Sequence, residues 1–314
     1  MQQAILHRIL TLLPTALIGS LIIFGVVHLT PGGPAYALLG PEADPAVIDR
    51  VTREMGLDRP IYVQFASWAW NLFHGDFGTS LLSREPVAKL IMDRLPVTAT
   101  LAAEALVLSL VIGIPLGIYA SIKRGTGIDT AVKSFSGLAH AFPEFWVGML
   151  AMGFFALRLY WFPATGFTPI SSGLAAHINS VTLPVCTLAI GPTAIIVRFT
   201  RSAMVETLSG SYVRTAWALG LSPRQIYWRF ALKNAMIPIV TVIGIVAGGL
   251  IGGAVLVENV FAIPGLGDLL AEAVLQKDFP LVQGTTVFLM AAVILINLIV
   301  DITCAVLDPR TRIE

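Results

Sequence analysis

The chain has 314 residues, of which 56% are hydrophobic and 12% charged, with a mean hydropathy of +0.81 and a formal net charge of +1. Soluble domains carry about a quarter charged residues, so this composition excludes a water-covered globule and calls for the bilayer as solvent. The near-neutral charge removes any bulk case for nucleic acid, and Cys186 and Cys304 lie in apolar runs, where they read as small hydrophobes rather than a disulfide or metal pair.

Six stretches reach the ~20 apolar residues that a helix needs to cross ~30 Å of hydrocarbon. The first is Ile9–Leu29, too long for a signal-peptide core and followed by Thr30-Pro31-Gly32-Gly33, which resembles no cleavage site. Residues 31–95 then mix polar and apolar positions like a small helical cap, with Asp44-Pro45 as a helix N-cap and first helical residue. The second span is about Val97–Ile122 and contains Glu104. The third is about Ser134–Tyr160 and contains Glu144 just after Pro143, where a kink is expected. Pro163, Gly166, Pro169 and Ser171-Ser172-Gly173 break the next apolar run, so the fourth span is placed at about Val181–Val197. The fifth is about Ile237–Leu256 and the sixth about Leu281–Ala305, uncharged until Asp301. The expected architecture is all-α and polytopic: a first helix within 1–30, an outer helical segment 31–95, and a five-helix core 96–314 with an inner loop 198–236.

The Lys/Arg bias orients these spans. With the N-terminus inside, the inner segments hold twelve basic residues, against Arg158 and Lys277 in the two short outer loops. Both termini are therefore expected on the cytoplasmic side. The loop 198–236 alone carries six basic residues and one acid, Glu206. Two short helices are legible in it. One covers Ser211–Leu219 and stops at Gly220, a good residue for the position after a helix end. The other starts at Ser222, with Pro223 first and Gln225 completing a capping box. A loop of this length with its own helices is usually functional; binding of anionic lipid by its basic charge is the competing reading.

Tyr212-Val213-Arg214-Thr215-Ala216, Ala218-Leu219-Gly220 and Asn234-Ala235-x-Ile237-Pro238 resemble the cytoplasmic Ala-Gly loop of bacterial ABC importer permeases. Further motifs place the resemblance in the dipeptide/oligopeptide/nickel branch, first-permease type, with a type I importer fold. They are Gly75-Asp76-Phe77-Gly78-Thr79-Ser80, Arg94-Leu95-Pro96 opening the second span, Ile114-Pro115-Leu116-Gly117, Phe142-Pro143-x-Phe145-x-x-Gly148, Val257-Glu258-x-Val260-Phe261-x-x-Pro264-Gly265-Leu266-Gly267 and Asp308-Pro309-Arg310-x-Arg312. Two departures stand out. Gly32-Gly33-Pro34 replaces the family's Gly-Asp-Pro, and Leu219 stands where a basic residue is common. The resemblance implies that Tyr212, Arg214, Thr215, Ala216, Ala218, Gly220 and Ser222 couple to an ATPase subunit. It also implies a second permease, one or two ATP-binding subunits and an extracytoplasmic solute-binding protein as partners in the inner membrane.

No G-x-x-x-x-G-K-[ST] phosphate cradle occurs, so ATP hydrolysis is expected on partner subunits and the chain is not expected to be an enzyme. The run Gly248–Gly253 reads instead as close helix packing. No catalytic, metal or cofactor constellation is visible. A carboxylate at membrane depth is costly and faces protein or water. Glu144 is expected to face the translocation path or a subunit interface, or else to pair with a group such as Asn297. Glu258, Phe261, Pro264, Gly265 and Gly267 form a non-helical turn that could gate the outer mouth. The rivals to an ATP-driven peptide importer are an ion-gradient secondary carrier, favoured only by Glu144 beside Pro143, and a non-transporting scaffold.

Overall fold

The computed structural model describes residues 2–29, 35–36, 39, 43–54 and 56–307. Among these the regular secondary structure is all helix, joined by turns and loops, apart from one isolated bridge between Thr79 and Pro86. The departures at 32–34 and the motif at 308–312 lie outside the described residues.

Helix α1 (Gln2–His28) occupies the place of the first expected span and packs on the last helix. Short helices α2 (Pro45–Glu54) and α3 (Ile61–Phe73) follow. Asp44 caps α2 as expected, its Oδ1 accepting from Ala46 N at 2.9 Å. Helix α4 (Val87–Ile122) begins well before Val97, so Arg94-Leu95-Pro96 lies inside it rather than opening it. Hydropathy locates the part of a helix immersed in hydrocarbon; the helix itself runs on into the polar boundary.

The third expected span is not one continuous helix. It is α5 (Gly127–Ala141) and α6 (Glu144–Arg158, with a wider turn over Met152–Arg158), bent by 96°. Proline forces the residue before it out of the helical region, and Phe142 is extended, with ψ 137°. The kink expected at Pro143 is thus a full break. Helix α7 (Leu174–Leu208) starts directly after Gly173 and runs on past the expected stop at Val197 to Leu208, taking in Arg198 and Arg201.

Helix α8 (Ser211–Ala218) is the first short loop helix. The second is not separate. Helix α9 runs from Pro223 to Val260, with a wide turn at Ile226–Ala231 that carries it past Pro238 into the membrane. Helices α10 (Leu266–Leu275) and α11 (Phe279–Leu307) complete the chain. Among the described residues four helices, α4, α7, α9 and α11, are long and apolar enough to cross a membrane, and α5 with α6 makes a bent fifth candidate.

The main core lies where α4, α7 and α9 meet, through Leu101, Ala105, Leu188, Ile196, Val246 and Leu250. Small residues set these distances, as packing within a bilayer favours. A methyl group on Gly117 would lie 2.6 Å from Thr200 Cβ and 2.8 Å from the Val197 carbonyl. On α9, Gly248 approaches Asn297 of α11 and Gly253 approaches Leu188, while Gly249 and Gly252 face open space. The glycine run is therefore a packing device at two of its four glycines. The Gly75–Ser80 motif is pinned to the start of α11. Buried Asp278 accepts from Ser80 Oγ at 2.5 Å and from Leu81 N at 3.2 Å.

Candidate functional site

Helix α8 has two faces. Val213 and Ala216 are buried against Ile226 of α9, with Leu208, Leu221 and Tyr227 around them. Tyr212, Arg214, Thr215, Trp217, Ala218 and Leu219 are exposed. The structure thus puts Tyr212, Arg214, Thr215 and Ala218 on one accessible helix, followed by exposed Gly220 and Ser222. Ala216 is the exception: at 3% exposure it faces inward and seats the helix.

The end of α8 is a Schellman turn. Leu221 N donates to the Ala216 carbonyl at 3.2 Å and Gly220 N to the Trp217 carbonyl at 3.0 Å, with Gly220 at φ +77°. The expected capping box then starts α9: Ser222 N donates to Gln225 Oε1 at 3.0 Å, and Gln225 N donates to Ser222 Oγ. Asn234 Nδ2 donates to Tyr212 OH at 3.1 Å and ties α8 to the following turns of α9. The Asn234-Ala235 motif is explained by this bond and by the burial of Ala235.

The residues expected at the path or gate form two separate groups. Glu144, the first residue of α6, lies between α7 and α9. Methyl groups on Gly191 and Gly253 would sit 2.7 and 2.8 Å from its two carboxylate oxygens. It lines a cavity of about 250 Å³ with Leu188, Pro192, Ile195, Ile245 and Gly249. No hydrogen bond joins it to Asn297, which packs toward Gly248 instead.

The turn from Glu258 to Gly267 does not reach that cavity. Glu258 is fully buried; it accepts from Thr98 Oγ1 at 2.6 Å and from Gly267 N at 2.6 Å. Thr98 Oγ1 in turn accepts from Leu266 N at 2.8 Å. The carboxylate therefore caps the N-terminus of α10, where the backbone N–H groups and helix dipole favour negative charge. Gly265 passes so close to this carboxylate that a side chain there would collide with it, and Phe261 is buried in the main core. Pro264 remains exposed. Nearby, burial raises the Asp268 carboxyl above its ordinary value, opposed by the Arg94 guanidinium 3.6 Å away.

One membrane-depth pair was missed from sequence. His177 Nε2 lies 2.7 Å from Glu104 Oε1, with the His177 ring almost fully buried and its Nδ1 2.6 Å from the Thr168 carbonyl. Glu104 stands in the second expected span; the signal for its partner is a histidine in the long stretch from 159 to 197 that has no Lys, Arg, Asp or Glu.

Comparison with known proteins agrees along the whole chain. Residues 113–313 match the family described as "Binding-protein-dependent transport system inner membrane component", and residues 1–102 match its N-terminal companion family. A Brucella abortus protein named as a permease of a peptide transport system is 39% identical over 314 residues, covering 100% of both chains. The glutathione transport system permease protein GsiC of Salmonella typhi is 39% identical over 312 residues, covering 99% of both. The fold is similar to that of a chain in inward-facing structures of the MetNI methionine ABC transporter, with a TM-score of 0.55 at 19% identity, over 70% of this chain and 96% of that one. That likeness identifies the type I ABC importer permease fold. The chain belongs to the family of binding-protein-dependent transport system inner membrane components.

Proposed function

We propose that this chain is the membrane permease subunit of an ATP-driven importer for di- or oligopeptides, or for related small solutes such as glutathione. It forms half of the pore with a second, similar permease. One or two ATP-binding subunits dock at α8 and carry out the hydrolysis, and a solute-binding protein delivers from the opposite side. Both termini and the 198–236 loop face the ATP-binding subunits.

One observation carries this reading. The short helix α8 has an exposed face of Tyr212, Arg214, Thr215 and Ala218, while Val213 and Ala216 seat it on a helix that continues into the membrane. The capping box and the Asn234–Tyr212 bond leave no slack joint between them. A push on α8 therefore becomes a rigid tilt of α9. Alternating access follows if ATP closure moves two such handles together. In this scheme Glu144 borders the path that the tilt opens, and the turn Glu258–Gly267 is the fixed seat that closes its outer side.

The discriminating experiment is uptake by the assembled importer in vesicles. Uptake should require ATP and the copurified ATPase and should survive collapse of ion gradients; uptake without that ATPase would overturn the reading. Gly220→Asp tests the handle itself. A left-handed residue other than glycine costs roughly 1–2 kcal/mol, and aspartate is among those that tolerate it best. The variant should insert and fold, yet lose stimulation of ATP hydrolysis.

A further inference from the structure

A second basic feature lies at the same end of the bundle but away from α8. Between α5 and α7 is a cleft of about 380 Å³, lined by Lys133 and Ser136 of α5 and by Arg198 and Arg201 of α7, with Val132, Ala194, Ile195 and Val197 as apolar walls. One carboxylate opposes its three cations. Asp129, 1% exposed, accepts from Arg201 Nε at 2.5 Å and from its Nη2 at 2.9 Å, and lies 3.3 Å from Lys133 Nζ. Arg201 is thereby fixed as a strut. Arg198 has no ion-pair partner among the described residues, its guanidinium resting 5.5 Å above the Phe199 ring. Ser136 is 7% exposed, and its hydroxyl has no hydrogen-bond partner among the described residues.

A buried hydroxyl without a partner is costly, and here it lines a cleft with one cation that has no ion-pair partner among the described residues, Arg198, and a second, Lys133, that is half exposed and shares Asp129 with Arg201. We propose that this cleft binds a phosphate group, held by Lys133 and Arg198 and receiving the Ser136 hydroxyl as donor. A phosphate has enough acceptor oxygens to take the guanidinium, the ammonium and the hydroxyl at once. The apolar walls and the position where α7 leaves the hydrocarbon suit an anionic phospholipid headgroup; free phosphate has the same chemistry. The inference does not depend on the coupling role of α8.

Native mass spectrometry of the purified full chain tests it, with equal phosphatidylglycerol and phosphatidylcholine and, separately, inorganic phosphate. Wild type should retain phosphatidylglycerol in preference. The variant Lys133→Gln with Arg198→Gln should lose that preference by roughly fivefold per cation removed. Ser136→Ala, which leaves every charge in place, should weaken it as well. Phosphatidylcholine retention and the thermal unfolding profile report folding, and Lys133→Arg with Arg198→Lys should restore binding. Phosphate retention by wild type, lost in the same variants, would assign the site to the soluble ion. No preference for the anionic lipid together with no phosphate binding, or equal retention by the double Gln variant, overturns the proposal.

Discussion

Glu258 illustrates how a fully buried charge can be structural. A fully buried carboxylate is tolerated only where hydrogen bonds replace its water, and Thr98 Oγ1 and the backbone N–H of Gly267 supply them. Glu258→Gln keeps the shape but replaces one acceptor oxygen by an amide donor and removes the negative charge that the N-terminus of α10 favours. Thermal unfolding in detergent should show a loss of about 1–3 kcal/mol, and Gly265→Ala, which pushes a methyl into the same carboxylate, should lose at least as much. Unchanged melting in both variants would remove this cap from the account. In sequence the pattern around Pro264-Gly265-Leu266-Gly267 was legible as a special turn, but its purpose was not, because the partner Thr98 is 160 positions away. A separation of 73 positions likewise hid His177 from Glu104, whereas the Ser222 capping box, closed within four residues, was readable in full.

Local stop signals and side-chain chemistry explain where elements begin and end. Gly220 was readable as a helix end and is one in the structure; Pro143, expected as a kink, is a full break, and Gly173, expected within a loop, directly precedes α7. Helix length was not readable, because polar residues continue a helix as readily as apolar ones; α4, α7 and α9 all outrun their apolar cores. Helix pairing depends on contacts between distant glycines and their neighbours. Gly117 meets both the Thr200 side chain and the Val197 carbonyl of α7. Gly117→Leu should therefore separate α4 from α7, costing roughly 1–3 kcal/mol or more by overpacking and reducing the amount of folded protein on size exclusion. Thr200→Ala should recover little of it, since the backbone carbonyl remains; full recovery would mean that only the side chain sets the approach. The ion pair of Asp129 with Arg201 joins α5 to α7 in the same region. Removing one partner of a buried pair strands the other, so Asp129→Asn should lower the melting temperature by more than Lys133→Gln, whose side chain is half exposed.

For the whole molecule, the open question of mechanism is whether the Glu144 cavity belongs to the path. A carboxylate between α7 and α9 that has no partner among the described residues meets either water or a passing cation. The bend before Glu144 keeps α5 off the line of α6, so α7 and α9 form the cavity's remaining walls. If α8 levers α9, the width of this cavity changes with the nucleotide state. Ile245, on α9, lines it and is 67% exposed. In a background with Cys186 and Cys304 replaced by alanine, Ile245→Cys in the assembled importer should react with a water-soluble thiol reagent in one nucleotide state and be protected in the other. Excess transported peptide should slow that reaction, because the peptide and the reagent compete for one space. Identical labelling in every state would place the cavity against lipid or a static interface, even if α8 still couples to ATP hydrolysis.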